Sequence, residues 1–216
     1  MTRKGDMTQT HSNADSLADG RLSAPAAVRN APAIVAALAG WLPERGRALE
    51  IAAGTGEHAV ALAGGNPGLD WHPTDIDPLR LASIDAWRAA EGVSNMRVAT
   101  LLDATGPDWR VDPVAVVYLA NLMHLVPEAA AANVIRGAAR ALAPGGRFCL
   151  YGPFRAGGRF RSEGDASFHA RLTASDPAIG YKDVEWVDAV AAEAGLDRLD
   201  LIEMPANNLI FVFERA

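Results

Sequence analysis

The sequence predicts an α/β protein with a mostly parallel, doubly wound sheet, and three patterns in the chain predict it. Strand-like and helix-like segments alternate between residues 47 and 152, as they do in repeated βαβ units. The segment VAVVYLAN, residues 114–121, is almost wholly apolar, which is typical of a strand that is buried on both faces. Two closing strand candidates, residues 196–204 and 207–215, predict a hairpin that includes an antiparallel edge strand.

The individual elements follow from their end signals. A helical stretch over residues 23–42 has Ser23 as the expected N-cap and Pro25 in its first turn, and Pro32 is expected to break or kink it. A Gly/Arg-rich segment, residues 152–167, is predicted to be a loop. The remaining predicted strands are 47–53, 69–75, 95–103, 114–121 and 147–152, and the remaining predicted helices are 57–65, 78–92, 127–146 and 184–195.

The length and the distribution of polar residues predict one folded domain behind a short tail. A chain of 216 residues is long enough for one full hydrophobic core. Residues 1–20 are polar and unpatterned, so they are predicted to be a disordered tail. Residues 21–216 then form the single domain.

Charge and composition argue against several classes of partner and site. The formal net charge of −6 argues against nucleic acid, because phosphate binding depends on clustered Lys and Arg. Cys149 is the only cysteine, so no intrachain disulfide forms, which fits a cytoplasmic protein. No segment reaches the apolar length of a membrane span, so no membrane partner is expected. No metal site is expected, because no metal-ligand spacing relates His11, His58, His72 and His169.

Acidic residues stand at or near the ends of the first three strands of the predicted βαβ units. They are Glu50, Asp75 and Asp103, and ligands of open α/β sheets bind beyond such strand ends. Asp75 lies 75 − 56 = 19 residues past Gly56, where it can accept hydrogen bonds from ribose hydroxyls. Asp103 is expected to accept from an adenine amino group, or else to begin a turn. Asp77 competes with Asp75, but it directly precedes a predicted helix and is better suited to cap it.

The turn after the first of these strands favours one of two nucleotide ligands. Gly54 and Gly56 permit positive φ and a close approach of a ligand to the backbone. The sequence GTGEHA also matches G-x-G-x-x-A, the dinucleotide fingerprint, which is weak evidence alone. Glu50 and Glu57 would repel a pyrophosphate, whereas they suit an ammonium or a sulfonium group. The acids therefore favour an adenosyl amino acid, S-adenosylmethionine, over a dinucleotide.

The same segment resembles motif I of class I S-adenosylmethionine-dependent methyltransferases, E-x-G-x-G-x-G. It departs from that pattern at Ala52, which stands at the first glycine, and at His58, which stands at the last. The later segments DID, LLDAT, LANLMH and APGGRFCLYGPF also resemble signatures of that class. More narrowly, SAPAAVRN, LEIAAGTGEHA, ASIDAW, YGPF and MPANNLIFVF resemble the methyltransferase-like family DUF938, which is related to the eukaryotic methyltransferase-like 26 proteins. This resemblance covers about residues 22–216.

The resemblance implies a class I methyltransferase fold with S-adenosylmethionine as cofactor. This fold is a Rossmann-like three-layer sandwich with a seven-stranded, mostly parallel sheet, one antiparallel strand and strand order 3-2-1-4-5-7-6. Residues 21–45 are expected to form an N-terminal helical lid in which Arg29 pairs with the cofactor carboxylate, or else is a solvated surface arginine. The cofactor-binding residues are expected to be Glu50, Ala52, Gly54, Thr55, Gly56, Asp75, Asp103, Ala104, Asn121 and Arg29.

Candidate catalytic and substrate-binding residues follow the fourth and fifth strands and precede the last. His124 is expected to take a proton from an attacking hydroxyl, amine or thiol, or else to bond to backbone at a helix entry. Tyr151, a candidate catalytic residue, and Phe154, a candidate substrate-binding residue, are expected to wall the methyl-transfer pocket, or else to pack in the core. Asn207 and Asn208 are expected to bind substrate, with turn formation as the alternative.

These observations predict methyl transfer to an O, N or S nucleophile of an unidentified, small-molecule acceptor. The Arg-rich loop from Arg155 to Arg161 is expected to close over the site or to bind an anionic substrate. One alternative is an NAD(P)-dependent oxidoreductase, although Tyr118 and Tyr151 have no lysine four positions on. A second alternative is a protein that binds S-adenosylmethionine without turnover. Nothing in the sequence indicates an oligomeric state.

Overall fold

A seven-stranded sheet organises the computed structural model, which describes residues 14–216. Two short strands, β1 (Asp15–Ser16) and β2 (Leu22–Ser23), pair with each other outside this sheet. The large sheet contains β3 (Gly46–Ile51), β4 (Leu69–Asp75), β5 (Thr100–Leu101), β6 (Val114–Ala120), β7 (Leu142–Pro153), β8 (Leu196–Glu203) and β9 (Asn208–Arg215).

The order of strands in the large sheet is β5-β4-β3-β6-β7-β9-β8. Strand β9 runs in the direction opposite to the other six strands of this sheet, and β8 and β9 form the closing hairpin. Numbered along the chain, the seven strands have the order 3-2-1-4-5-7-6. The predicted fold class and strand order are therefore confirmed.

Helices cover both faces of the sheet and produce two apolar cores. They are α1 (Pro25–Leu38), α2 (Glu57–Gly65), α3 (Pro78–Glu91), α4 (Glu128–Ala141), α5 (Glu163–Ser175) and α6 (Val184–Glu193). Helices α1, α2 and α3 pack on one face, where Trp71, Tyr118 and Cys149 are buried. Helices α4 and α6 pack on the other face, which buries Phe148 and Phe211. Because side chains alternate between the two faces of the sheet, the strands contribute to both cores of a three-layer sandwich.

The N-terminal segment differs from its prediction in three respects. Ala24 is the N-cap of α1, and Ser23 instead belongs to β2. The helix does not break at Pro32; it continues to Leu38, because its buried residues after the proline anchor it to the core. Of the predicted tail, residues 1–13, with His11, lie outside the described residues, and Asp15–Ser16 form β1.

Three further boundaries differ from their predictions. The helix predicted over 127–146 ends at Ala141, since Leu142 already pairs with β6. The predicted strand 95–103 shrinks to Thr100–Leu101, with one isolated bridge at Met96. Helix α5 begins inside the predicted loop, and the Ser162 side chain caps it by accepting a hydrogen bond from the Asp165 amide.

Within residues 14–216, none of the helices combines the length and the apolar character that crossing a membrane requires.

Candidate functional site

The predicted site residues converge where the carboxyl ends of β3, β4, β6 and β7 meet. Strand β3 lies between β4, which follows it in the chain, and β6, which starts the other half of the sheet. This is the point at which the strand order reverses, and α/β proteins bind their ligands there. The loop after β3 and the segment after β6 both open at this point.

The loop after β3 holds three residues with left-handed backbone conformation. Their φ values are 51° at Ala52, 62° at Gly54 and 110° at Gly56. A Cβ on Gly56 would lie 3.0 Å from the Ile84 Cα and 3.1 Å from the Trp87 ring, so a glycine is required there. Ala52 adopts this conformation despite its Cβ, at a cost of about 1 kcal/mol.

Asp75 closes this loop onto the end of β4. Its Oδ2 accepts a hydrogen bond from the Gly54 amide at 2.9 Å, and its Oδ1 accepts one from the Asp77 amide at 3.0 Å. Burial raises the pKa of Asp75, while its two backbone bonds and the Arg80 charge oppose the rise. Asp77 caps α3 by accepting from the Leu79 amide, so the two acids have separate positions and separate tasks.

Glu50 lies beneath the loop and is 2% exposed. Its Oε2 accepts a hydrogen bond from the indole Nε1 of Trp71 at 2.7 Å. Burial raises the pKa of this carboxyl to about 8, the indole bond lowers it, and the neighbouring charge of Asp75 raises it further. Glu50 is therefore mostly protonated at neutral pH in the free protein.

The segment after β5 borders the site with a turn. Asp103 is exposed and accepts a hydrogen bond from the Thr105 amide at 3.0 Å, which is the turn-forming alternative. Ala104 is buried in the core below it. The Leu102 amide donates to the backbone oxygen of Asp75 at 3.0 Å, so this turn stands next to Asp75.

Two further residues, which were not among the predicted site residues, lie beside the loop after β3. Ile76 is 50% exposed although it directly follows Asp75. Arg80 reaches over the loop, because its Nη1 lies 3.7 Å from the Cβ position of Gly54. In the sequence, an apolar residue between the two aspartates of the DID segment could have indicated Ile76.

Tyr151 and Asn121 meet at the ends of β7 and β6. The Asn121 amide donates to the backbone oxygen of Tyr151 at 2.9 Å, and Asn121 has a φ of 58°. The Tyr151 hydroxyl accepts a hydrogen bond from Asn30 Nδ2 of α1 at 3.2 Å. Burial raises the pKa of Tyr151, whereas this bond and the positive charge of Arg29 lower it. The Arg29 side chain is exposed on the same helix.

His124 is in a short 3₁₀ turn, Met123–Leu125, after β6 and is 6% exposed. Its ring centroid lies 5.8 Å from that of Phe168 and 6.1 Å from that of Tyr181, and both contacts are edge-on. Its backbone oxygen accepts from the Gly180 amide at 3.0 Å. The sequence analysis missed both aromatic neighbours, which come from α5 and the segment after it.

Three predicted substrate-binding residues have structural contacts of their own. Phe154 is 1% exposed and packs edge-on against Phe211 at 4.9 Å, which is the core-packing alternative. The Asn208 side chain donates to the Pro205 oxygen at 3.2 Å, which is the turn alternative. Asn207 Nδ2 donates to Asp165 Oδ2 at 3.1 Å and so ties the last turn to α5.

The Arg-rich loop is held by ion pairs to acidic side chains. Arg155 pairs with Asp183 at 2.7 Å, and Arg161 pairs with Glu203 at 2.7 Å. The Arg155 pair is about three-quarters buried on both sides. Two of the three arginines expected to bind an anionic substrate are thus already neutralised within the chain. Arg159 remains the candidate for that contact.

Solved structures similar to this chain are methyltransferases by their names. An O-methyltransferase family protein from Burkholderia thailandensis is 18% identical with a TM-score of 0.75, over 88% of this chain and 57% of that one. The mitomycin 7-O-methyltransferase MmcR is 15% identical with a TM-score of 0.76, over 89% of this chain and 55% of that one. The S-adenosylmethionine-dependent methyltransferase SibL is 20% identical with a TM-score of 0.72, over 88% and 55%. The chain thus spans just over half the length of these proteins, and at these identities the likeness shows the fold.

A family model supplies the closer relationship. The model described as "Protein of unknown function (DUF938)" matches residues 21–215, nearly the whole described chain. Sheet order, loop geometry and structural likeness together identify the class I methyltransferase fold. With this fold, the chain belongs to the DUF938 family.

Proposed function

We propose that this protein is an S-adenosylmethionine-dependent methyltransferase that acts on a small molecule. The observation that carries the proposal is the closure of the loop by Asp75, whose carboxylate meets the Gly54 amide at the point where the strand order reverses. A carboxylate at that point suits ribose hydroxyls, and the half-exposed Ile76 beside it suits an adenine face.

The surroundings of α2 favour this cofactor over a dinucleotide. A pyrophosphate needs the free amides and the positive dipole end of a helix N-terminus. Here Glu57 is in the first turn of α2, is 6% exposed, and accepts the Ala24 amide at 2.7 Å. Its carboxylate opposes a second anion at that helix end, whereas it does not oppose a sulfonium or an ammonium group.

The residues of the site fit the proposed cofactor. Asp75 holds the ribose, Ile76 and the turn at Asp103 border the adenine, and Arg29 on α1 pairs with the carboxylate of the amino-acid end. Glu50 takes its negative form when an ammonium group lies nearby, because a positive charge lowers the pKa of a buried carboxyl. When bound, the cofactor supplies a methyl group that its sulfonium already activates.

The acceptor site that we propose is the aromatic cluster around His124, formed by Phe168, Tyr181 and Phe160. Its rings suit a small molecule with an aromatic or apolar body. His124 is the proton acceptor for a hydroxyl, amine or thiol of that molecule, and the methyltransferase names of similar structures support this use of the fold. Because His124 is buried beneath α5, this role requires α5 to move aside when the acceptor enters.

Calorimetric titration of the wild-type protein with S-adenosylmethionine, S-adenosylhomocysteine and NADH tests the proposal. We expect micromolar binding of both adenosyl ligands and no heat from NADH. Binding of NADH alone would contradict the proposal and favour the oxidoreductase alternative. A second measurement, release of S-adenosylhomocysteine in the presence of a panel of small phenols, amines and thiols, separates turnover from binding alone.

A further inference from the structure

Four polar side chains form a chain of hydrogen bonds between α1 and the sheet. The Tyr118 hydroxyl lies 3.4 Å from His58 Nδ1, and His58 Nε2 lies 2.9 Å from Asn30 Oδ1. Asn30 Nδ2 then lies 3.2 Å from the Tyr151 hydroxyl. We refer to these four residues as the Asn30–His58 relay. It connects two helices with the ends of two strands, directly behind the loop that Asp75 closes.

The pattern of donors and acceptors assigns a direction to the relay. Asn30 Nδ2 donates to the Tyr151 hydroxyl, so Asn30 Oδ1 is left to accept from the His58 ring. This assigns the ring hydrogen to Nε2, and Nδ1 is then the acceptor for the Tyr118 hydroxyl. Burial lowers the pKa of His58 to about 4, so the ring is neutral at the pH of the cell. Each bond therefore constrains the next, and the Tyr151 hydroxyl keeps its own hydrogen for a further acceptor.

The first half of α1 depends on polar contacts for its attachment. None of the residues 25–30 is buried, and Val28 is 53% exposed, whereas the buried residues of the helix begin at Ala31. Pro32 has no N–H to donate to the backbone oxygen of Val28, so the helical ladder is interrupted between the two halves. Because little apolar area is buried before Ala31, two polar attachments orient this half: the bonds of Asn30 and the bond from the Ala24 amide to Glu57.

The relay also accounts for the departure from motif I at its last position. A glycine there has no side chain, while the imidazole of His58 reaches both Tyr118 and Asn30. The histidine thus links the helix that follows the cofactor loop to the helix that carries Arg29. The positive charge of Arg29 acts to lower the pKa of the Tyr151 hydroxyl, the group at the end of the relay.

We propose that His58 and Asn30 are positioning residues of the cofactor site. They hold the first half of α1, with Arg29, and the Tyr151 hydroxyl in the arrangement that binds the amino-acid end of the cofactor. This inference rests on the proposed function. Part of the cofactor affinity then depends on α1, a helix that precedes motif I in the chain.

Titration with S-adenosylhomocysteine tests this role in the full chain. His58→Phe keeps a ring but cannot form the bonds, and we expect its Kd to rise about tenfold, the effect of losing one net hydrogen bond. His58→Gln retains a donor and an acceptor, and its Kd should stay within about threefold of the wild type. Val28→Ala, an exposed position on the same helix, is the matched control and should bind as the wild type does.

Amide hydrogen exchange of residues 26–31 gives the readout that a general loss of stability would not produce. We expect faster exchange in His58→Phe than in His58→Gln, with equal exchange in α4 of both variants. Equal affinity of His58→Phe and the wild type would overturn the relay, as would equal weakening by Phe and Gln. If His58→Phe does not fold, Tyr151→Phe and Asn30→Ala serve instead. The double variant should bind S-adenosylhomocysteine no more weakly than the weaker-binding single variant does.

The two proposals fail in different ways. A wild-type protein that does not bind S-adenosylhomocysteine would contradict the proposed function and this inference together. A wild-type protein that binds it while His58→Phe binds equally well would contradict only the relay.

Discussion

The cofactor side and the acceptor side of the site are built in different ways. The cofactor side consists of a turn closed by short contacts, such as the bond between Gly54 and Asp75, within one βαβ unit. The acceptor side surrounds His124 with rings from α5 and the following segment, more than 40 residues further along the chain. The difference teaches that the proposed cofactor site is built from local backbone geometry, whereas the proposed acceptor site is built from long-range side-chain packing.

The largest expected effect concerns the buried carboxyl of Glu50 on the cofactor side. Burial raises the pKa of Glu50 from 4.5 to about 8 in the folded protein, so the folded state binds the proton more tightly than the unfolded state. The stability from this group is complete below about pH 4.5 and is lost as pH rises through about 8, by an amount on the order of a few kcal/mol.

Glu50→Gln removes this titration. As pH rises from 5 to 9, we expect the free energy of unfolding of the wild type to fall relative to that of Glu50→Gln. Urea unfolding of both proteins across that range provides the measurement. A constant difference would mean that Glu50 is ionised in the free protein at neutral pH.

A smaller effect is expected on the acceptor side, from Lys182. This lysine is 5% exposed, and its Nζ donates to the backbone oxygens of Val126 and Gly180 at 2.8 Å and 3.0 Å. Lys182→Met leaves both oxygens without this donor and should lower the free energy of unfolding by about 2–3 kcal/mol.

The affinity of the Lys182→Met variant for S-adenosylhomocysteine sharpens the comparison. Because the Lys182 ammonium donates to segments around His124, we expect this affinity to stay within about twofold of the wild type at a temperature where both are folded. A large loss of affinity would show that the two sides are coupled rather than separately built.

The smallest expected effect concerns Ala52, which has a φ of 51°. Ala52→Gly relieves the left-handed strain, while glycine adds unfolded-chain entropy, so the net gain in stability should be about 0–1 kcal/mol. The control is Ala36→Gly at an exposed position of α1, which should cost about 1 kcal/mol. Thermal unfolding of Ala52→Gly and Ala36→Gly measures the two effects. Equal destabilisation by both substitutions would contradict the backbone strain at Ala52.

The sequence predicted the strand and helix ends around the proposed cofactor site because their signals are local. Asp77 before Pro78 marks the start of α3, and Asp75 before it ends β4 as expected. The acceptor side was predicted less completely, because α5 begins in a Gly/Arg-rich segment that obscures its start signals, Ser162 as a cap and the acids Glu163 and Asp165 in the first turn. Phe168 and Tyr181 meet His124 through tertiary packing, which no local pattern encodes. Packing also explains why α1 does not break at Pro32, since buried residues beyond the proline hold the helix to the core.

The most direct test of the central claim compares two aspartates that stand two residues apart. Asp75 closes the loop, whereas Asp77 caps α3, so Asp75→Ala and Asp77→Ala separate the site from the helix end. Titration of both variants with S-adenosylhomocysteine should give a Kd raised by about 100-fold for Asp75→Ala. Asp77→Ala should bind within about threefold of the wild type while losing about 1 kcal/mol of stability. Equal affinities in the two variants would contradict the placement of the cofactor at this loop.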